Sequence, residues 1–143
     1  MFDSTSVCSA TGVLLEEGGR YAITIKAREP QWFDQEIPTS PGGFYSLDPP
    51  AVWQKALMVF ALPMRRELIR PWFRIVARTG GVGGEESFLD PDPKDHSIDE
   101  VLRATRDGEL FLFVNDAVLG VPGFEDVFYS NNRGTADVSI TRR

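Results

Sequence analysis

Residues 109–116 read ELFLFVND: Leu110, Phe111, Leu112, Phe113 and Val114 run without a polar break and end on Asn115 and Asp116. A strand that is apolar on both faces needs both faces covered, so this segment predicts the centre of a layered β-structure. Arg106-Asp107-Gly108, just before it, is a turn signal. Downstream, Ala136, Val138 and Ile140 alternate with Asp137, Ser139 and Thr141, the period-2 pattern of a half-buried last strand over 135–141. Upstream, GVLL, EEGG and YAITIKA over 12–27 predict a hairpin, with Tyr21, Ile23 and Ile25 on one face and Gly18-Gly19 at the turn. PWFRIVARTG at 71–80 puts Phe73, Ile75 and Ala77 on one face and Arg74 and Arg78 on the other.

The intervening segments are less regular. Residues 28–50 carry five prolines and two aromatic pairs without periodicity. They read as a structured loop or a set of short strands, and long loops in small domains are usually functional. Over 51–60, Val52, Trp53, Ala56, Leu57, Val59 and Phe60 recur at three- and four-residue spacings after Pro49-Pro50, which predicts a short helix, with a buried strand as the alternative. Residues 79–100, with GGVGGEE and DPDPKD, read as a turn-rich acidic insertion, and Trp53 and Trp72 are assigned to the core. With 13 Gly and 10 Pro in 143 residues, many short strands and turns are expected. The expectation is an all-β protein, one antiparallel β-sandwich over 1–143 with one short helix.

Composition removes whole classes of function. The chain is 42% hydrophobic and 25% charged with a net charge of −6. Nucleic acid and anionic membrane surfaces are therefore poor partners. No apolar run approaches the roughly 18 residues of a membrane span, so no membrane insertion is expected. The opening MFDSTSVCSA lacks a basic n-region and an apolar h-region. Without a visible signal peptide, a cytoplasmic location or a non-classical export route is expected. Cys8 has no second cysteine to pair with, and one Cys with one His cannot make a zinc site of the usual ligands. His96 lies in an acidic turn, as a solvated surface imidazole would, and no nucleophile signature surrounds it or Cys8. Gly80, Gly81, Gly83 and Gly84 precede Glu85-Glu86, whose charges would oppose a phosphate. Glu125 and Asp126 are adjacent and would point to opposite faces of a strand, a poor acid/base pair. The chain is expected not to be an enzyme.

Three oxygen-rich clusters remain. Asp90, Asp92 and Asp95 have an acidic spacing but lack the glycine and distal glutamate of a calcium loop, so a solvated turn is the better reading. Glu16-Glu17 are hairpin-turn charges. The third cluster combines Asp116, at the end of the central strand, with Asn131 and Asn132 in YSNNRG at 129–134. If the two strands are neighbours, a carboxylate and two amide oxygens meet at one end of the sandwich, the hard-oxygen set that calcium prefers. The bland alternative is a turn, because Asn and Gly tolerate left-handed backbone.

The stretch GELFLFVNDAVLGVPGFEDVFYSNNRGTADVSI resembles the C-terminal half of the calcium-dependent PA-I galactophilic lectin family, most strongly over 109–141. The shared order is an apolar strand ending in Asn-Asp, a loop, then Tyr-x-Asn-Asn-x-Gly leading into an alternating last strand. YAITIKAREPQWFD resembles that family's strand-plus-aromatic segment more weakly. The resemblance implies a galactose-binding-like jelly roll with a calcium ion held by the Asp116 carboxylate and the Asn131 and Asn132 amides. Main-chain carbonyls would come from Phe128 and from Phe33, or from Trp32 in a register shifted by one. Adjacent sugar hydroxyls would complete the shell, so Asp116 and Asn131 are expected to border the ligand. Trp32 and Tyr45, with Phe33 and Phe44 in the long loop, are candidate stacking surfaces for a sugar, with core or loop-pinning residues as the alternative reading. The apolar insert 117–128 makes the loop longer than the family's, and the family's sugar-contacting His and Gln have no counterpart in PPAVWQKALMVF. The resemblance thus implies a non-catalytic lectin-like domain binding a galactose-like carbohydrate or another polyol. An accessory, protein-binding sandwich of a larger hydrolase or effector is the alternative, and self-association into a homo-oligomer is left open.

Overall fold

In β3 (Arg20–Ala27) and β9 (Gly108–Val114) every second side chain is turned to one interior, where Tyr21, Ile23 and Ile25 meet Leu110, Leu112 and Val114 in a shared core. That meeting of two strand faces defines the molecule. The computed structural model describes residues 1–29, 31–44, 52–64, 70–81, 83–118 and 121–143. One four-stranded sheet has the order β1 (Phe2–Asp3), β11 (Thr135–Arg142), β3, β8 (Ile98–Arg103); the other runs β2 (Ser9–Leu15), β9, β6 (Ile75–Thr79), β7 (Glu85–Phe88). A small third sheet joins β10 (Asn132–Arg133), β4 (Trp32–Asp34) and β5 (Ile37–Thr39). All pairings are antiparallel, and the two larger sheets form the sandwich.

β9 is central, as its two-faced apolarity requires: it lies between β2 and β6, and Phe113 is buried on the face opposite Leu112. The guanidinium of Arg78 lies over the rings of Phe111 and Phe113 at 5.7 and 5.6 Å, a cation–π cover for the outer face. The helix expected over 51–60 is α1 (Val52–Ala61), followed by a 3₁₀ turn at Leu62–Met64 that contains Pro63. Trp53 is 47% exposed on it, so only Trp72 of the two expected core tryptophans is buried.

Three expectations are corrected. Residues 12–27 are not a hairpin, because β2 pairs with β9 and β3 with β8 and β11. Leu15 and Tyr21 each enter the core from a different sheet, and the Gly18-Gly19 turn is pinned to Ala104 by two backbone hydrogen bonds of 2.7 and 2.9 Å. Residues 79–100 are not one insertion: β7 pairs with β6, and β8 begins inside this segment at Ile98 and pairs with β3. β8 is an edge strand with half its residues exposed, which dilutes its alternation. Finally, β11 does not lie beside β9 but in the opposite sheet. The ends of the two strands still meet, across the sandwich rather than along one sheet.

Candidate metal centre

Beyond Val114 the backbone continues to pair with the strand below, as Phe73 donates to the Asn115 carbonyl and Asn115 to the Arg74 carbonyl, at 2.9 and 2.8 Å. The Asn115 amide is spent on the Pro71 carbonyl at 2.9 Å, which fixes the strand end. Asp116 N–H then folds back onto the Val114 carbonyl at 2.9 Å, turning the Asp116 side chain inward, where it is 3% exposed. Its Oδ1 accepts from Ala117 N–H at 2.7 Å.

The Asn pair arrives by another route. Tyr129–Asn131 form a 3₁₀ turn that begins after Phe128. The buried Tyr129 hydroxyl donates to the Val114 carbonyl at 2.5 Å, tying this turn to the end of β9. Asn132 then enters β10 opposite Asp34, and Arg133 stands opposite Phe33. The Asn132 amide Nδ2 donates to Asp116 Oδ2 at 3.0 Å and to the Ser4 carbonyl at 3.2 Å. Both partners are acceptors, so the amide nitrogen must face them and Oδ1 is turned away. Gly134 completes the motif by necessity: a Cβ there would collide with the Trp32 ring.

Asp116 and Asn132 therefore meet, Asn131 precedes Asn132 at the end of the 3₁₀ turn, and both asparagines hold oxygens without a use. The side-chain oxygens of Asn131 and Asn132 are buried and lack a hydrogen-bond partner among the described residues. Such an acceptor costs about 1–3 kcal/mol. The corner also holds Asp34, which the sequence reading passed over. Burial, and then the negative charge of Asp116, push the Asp34 carboxyl up to about 7 from its ordinary 3.8. Asp34 was visible as the acidic residue directly after Phe33 in the aromatic segment, but an isolated Asp carries no pattern until β4 pairs with β10. Among the described residues no three His, Cys, Asp or Glu side chains cluster, so any cation here would depend on amides as much as on carboxylates. A carboxylate with neutral amide oxygens fits calcium's preference for hard donors.

The remaining expected positions fall as follows. Phe33 adjoins Asp34, and its ring lies 5.6 Å from the Arg133 guanidinium. Trp32 is 1% exposed, stacked on Phe2 at 6.1 Å and edge-on to Phe73 at 6.3 Å. Its ring is a core element and cannot be the expected sugar platform, because an aromatic packed on both sides has no face left. Tyr45 lies outside the described residues. The Asp90–Asp95 turn spends its carboxylates locally: Asp92 and Asp95 accept from the backbone of Lys94 and Ser97, and Asp90 pairs with Arg74. His96 is exposed, and the Cys8 sulfur accepts from Arg78 at 3.1 Å. A cleft of about 470 Å³ opens beside β3 and the Asp95–Ser97 turn, with Arg28, Glu29, Thr39, Ser40 and His96 in its walls, and none of the Asp116 corner lines it. No helix among the described residues is long and apolar enough to cross a membrane. No protein-family model matches the chain, and no curated protein matches it significantly.

Proposed function

We propose that the chain is a non-catalytic, calcium-dependent carbohydrate-binding domain. Asp116, Asn131 and Asn132 would hold the ion, with carbonyls from Phe33 and Phe128 completing the protein's share. The observation that supports this most is the pair of buried, unpartnered amide oxygens of the consecutive Asn131 and Asn132, the second on the side chain whose amide nitrogen holds the Asp116 carboxylate. A fold seldom leaves adjacent buried acceptors unsatisfied unless something else satisfies them. When bound, calcium supplies coordination positions at which two adjacent hydroxyls of a polyol can be held. The chain's own residues set the frame: Tyr129 anchors the 3₁₀ turn to Val114, and Asn132 fixes the direction of the Asp116 carboxylate.

The resemblance over 109–141 points to galactose as the first sugar to test. Isothermal titration of calcium, then of galactose with and without calcium, tests the reading directly. Calcium-dependent heat with galactose supports it. Calcium binding without any sugar response favours the second reading, an accessory domain that binds a protein. That reading draws on the insert, where Val121, Phe124 and Val127 are 53%, 56% and 43% exposed.

A further inference from the structure

The corner contains more charge than its sequence motif requires. Asp34 ends β4 directly opposite Asn132 of β10. Facing residues of an antiparallel pair project from the same side of the sheet, with Cβ atoms roughly 4.5–5.5 Å apart. Asn132 in turn reaches Asp116 Oδ2 at 3.0 Å. Trp32, two residues before Asp34 and on the same side of β4, is packed in the core, so this side faces the interior. Arg133 is next to Asn132 in sequence but lies on the other side, over Phe33. Asp34 makes no ion pair among the described residues. Asp34, from the small third sheet, and Asp116, from the end of β9, thus flank the same residue, Asn132, whose Oδ1 is buried without a partner, as is that of the neighbouring Asn131.

We propose that Asp34 is a side-chain ligand of the same cation, giving a centre of two carboxylates and two amides. The proposal rests on the calcium reading above and deepens it. A second carboxylate on the protein brings the fixed charge of the ligand set to that of a divalent cation. Ligand charge count raises calcium affinity. The ion is then held by the protein alone, and a sugar joins a centre already formed instead of helping to assemble it. A neutral diol suits such a centre better than an acidic sugar, whose carboxylate would meet charge already balanced.

Calcium titration by calorimetry on chelator-treated protein, comparing the parent with Asp34→Asn and Asp34→Ala, tests this. Terbium luminescence lifetimes in H₂O and D₂O, which count metal-bound waters, provide the second readout. The expected result is one calcium site in the parent, weakened about tenfold or more in Asp34→Asn, and at least one additional terbium-bound water in Asp34→Ala. In chelator, Asp34→Asn should melt no lower than the parent, since it removes a repulsion. Parental calcium affinity in Asp34→Asn, or the parental water count in Asp34→Ala, overturns the proposal and leaves the calcium reading intact. A lower melting temperature of Asp34→Asn in chelator also overturns it, by making Asp34 a structural group. If the parent itself binds neither calcium nor terbium, the calcium reading fails and this proposal with it.

Discussion

Asn132 and Asp116 are joined by a 3.0 Å hydrogen bond that bridges the end of β9 and the small third sheet, and the Asn132 oxygen beside it is buried without a partner. The bond is charge-assisted, and the Asn132 amide also holds the Ser4 carbonyl. Asn132→Ala removes both bonds and leaves a buried carboxylate with less support. A loss of about 2–3 kcal/mol is expected in urea denaturation with chelator present. A change under about 0.5 kcal/mol would mean that the corner is solvated.

The Tyr129 hydroxyl determines where the Asn pair sits. Tyr129→Phe keeps the buried ring and removes only the donor to the Val114 carbonyl. Stability should fall by about 0.5–1.5 kcal/mol, since that buried carbonyl loses one donor and keeps the Asp116 N–H. Calcium affinity should fall as well, as the 3₁₀ turn loses its tie to β9. Unchanged calorimetric affinity would show that the turn is held by its backbone alone.

Gly134→Ala tests the contact beneath the motif. The new methyl group would meet the Trp32 ring, which Phe2 and Phe73 already confine. Such overpacking costs about 1–3 kcal/mol. Near-ultraviolet circular dichroism should show the tryptophan environment altered, and an unchanged spectrum with a parental melting curve would contradict this packing.

Asp34 gives metal-free stability a pH dependence of known sign. Its carboxyl titrates near 3.8 when unfolded and at about 7 when folded, because burial and then Asp116 oppose its charge. Between those values the folded chain retains a proton that the unfolded chain has released. The contribution is complete below the unfolded value and lost as pH rises through the folded one, so stability falls across that window. Asp34→Asn should flatten this slope in denaturation curves recorded in chelator, and an unaltered slope would assign it to other groups.

The elements legible in the sequence were those whose pattern is local. ELFLFVND is apolar on both faces because β9 is covered on both, and the alternation of 136–140 survives because β11 lies between two partners. The spacing of Val52 to Phe60 marked α1, although its exposed Trp53 shows that periodicity alone does not say what covers a face. What was misread depends on pairing between distant segments. Nothing local in GVLLEEGGRYAITI distinguishes a hairpin from a turn between sheets, and β8 alternates too weakly to be seen at an edge. Likewise, Asp116, Asn131 and Asn132 could be singled out by residue type and motif. Asp34 became part of the corner only through the Asn132 register.

The central claim, a cation at the Asp116 corner, is tested most directly by melting the chelator-treated protein with and without millimolar calcium. A ligand that binds only the folded state raises the melting temperature by mass action. The expected result is a rise with calcium that disappears in Asp116→Ala and persists in Asp92→Ala, since Asp92 spends its carboxylate on the Lys94 backbone. A melting curve that calcium leaves unmoved, or a rise that survives in Asp116→Ala and is lost in Asp92→Ala, would contradict the account.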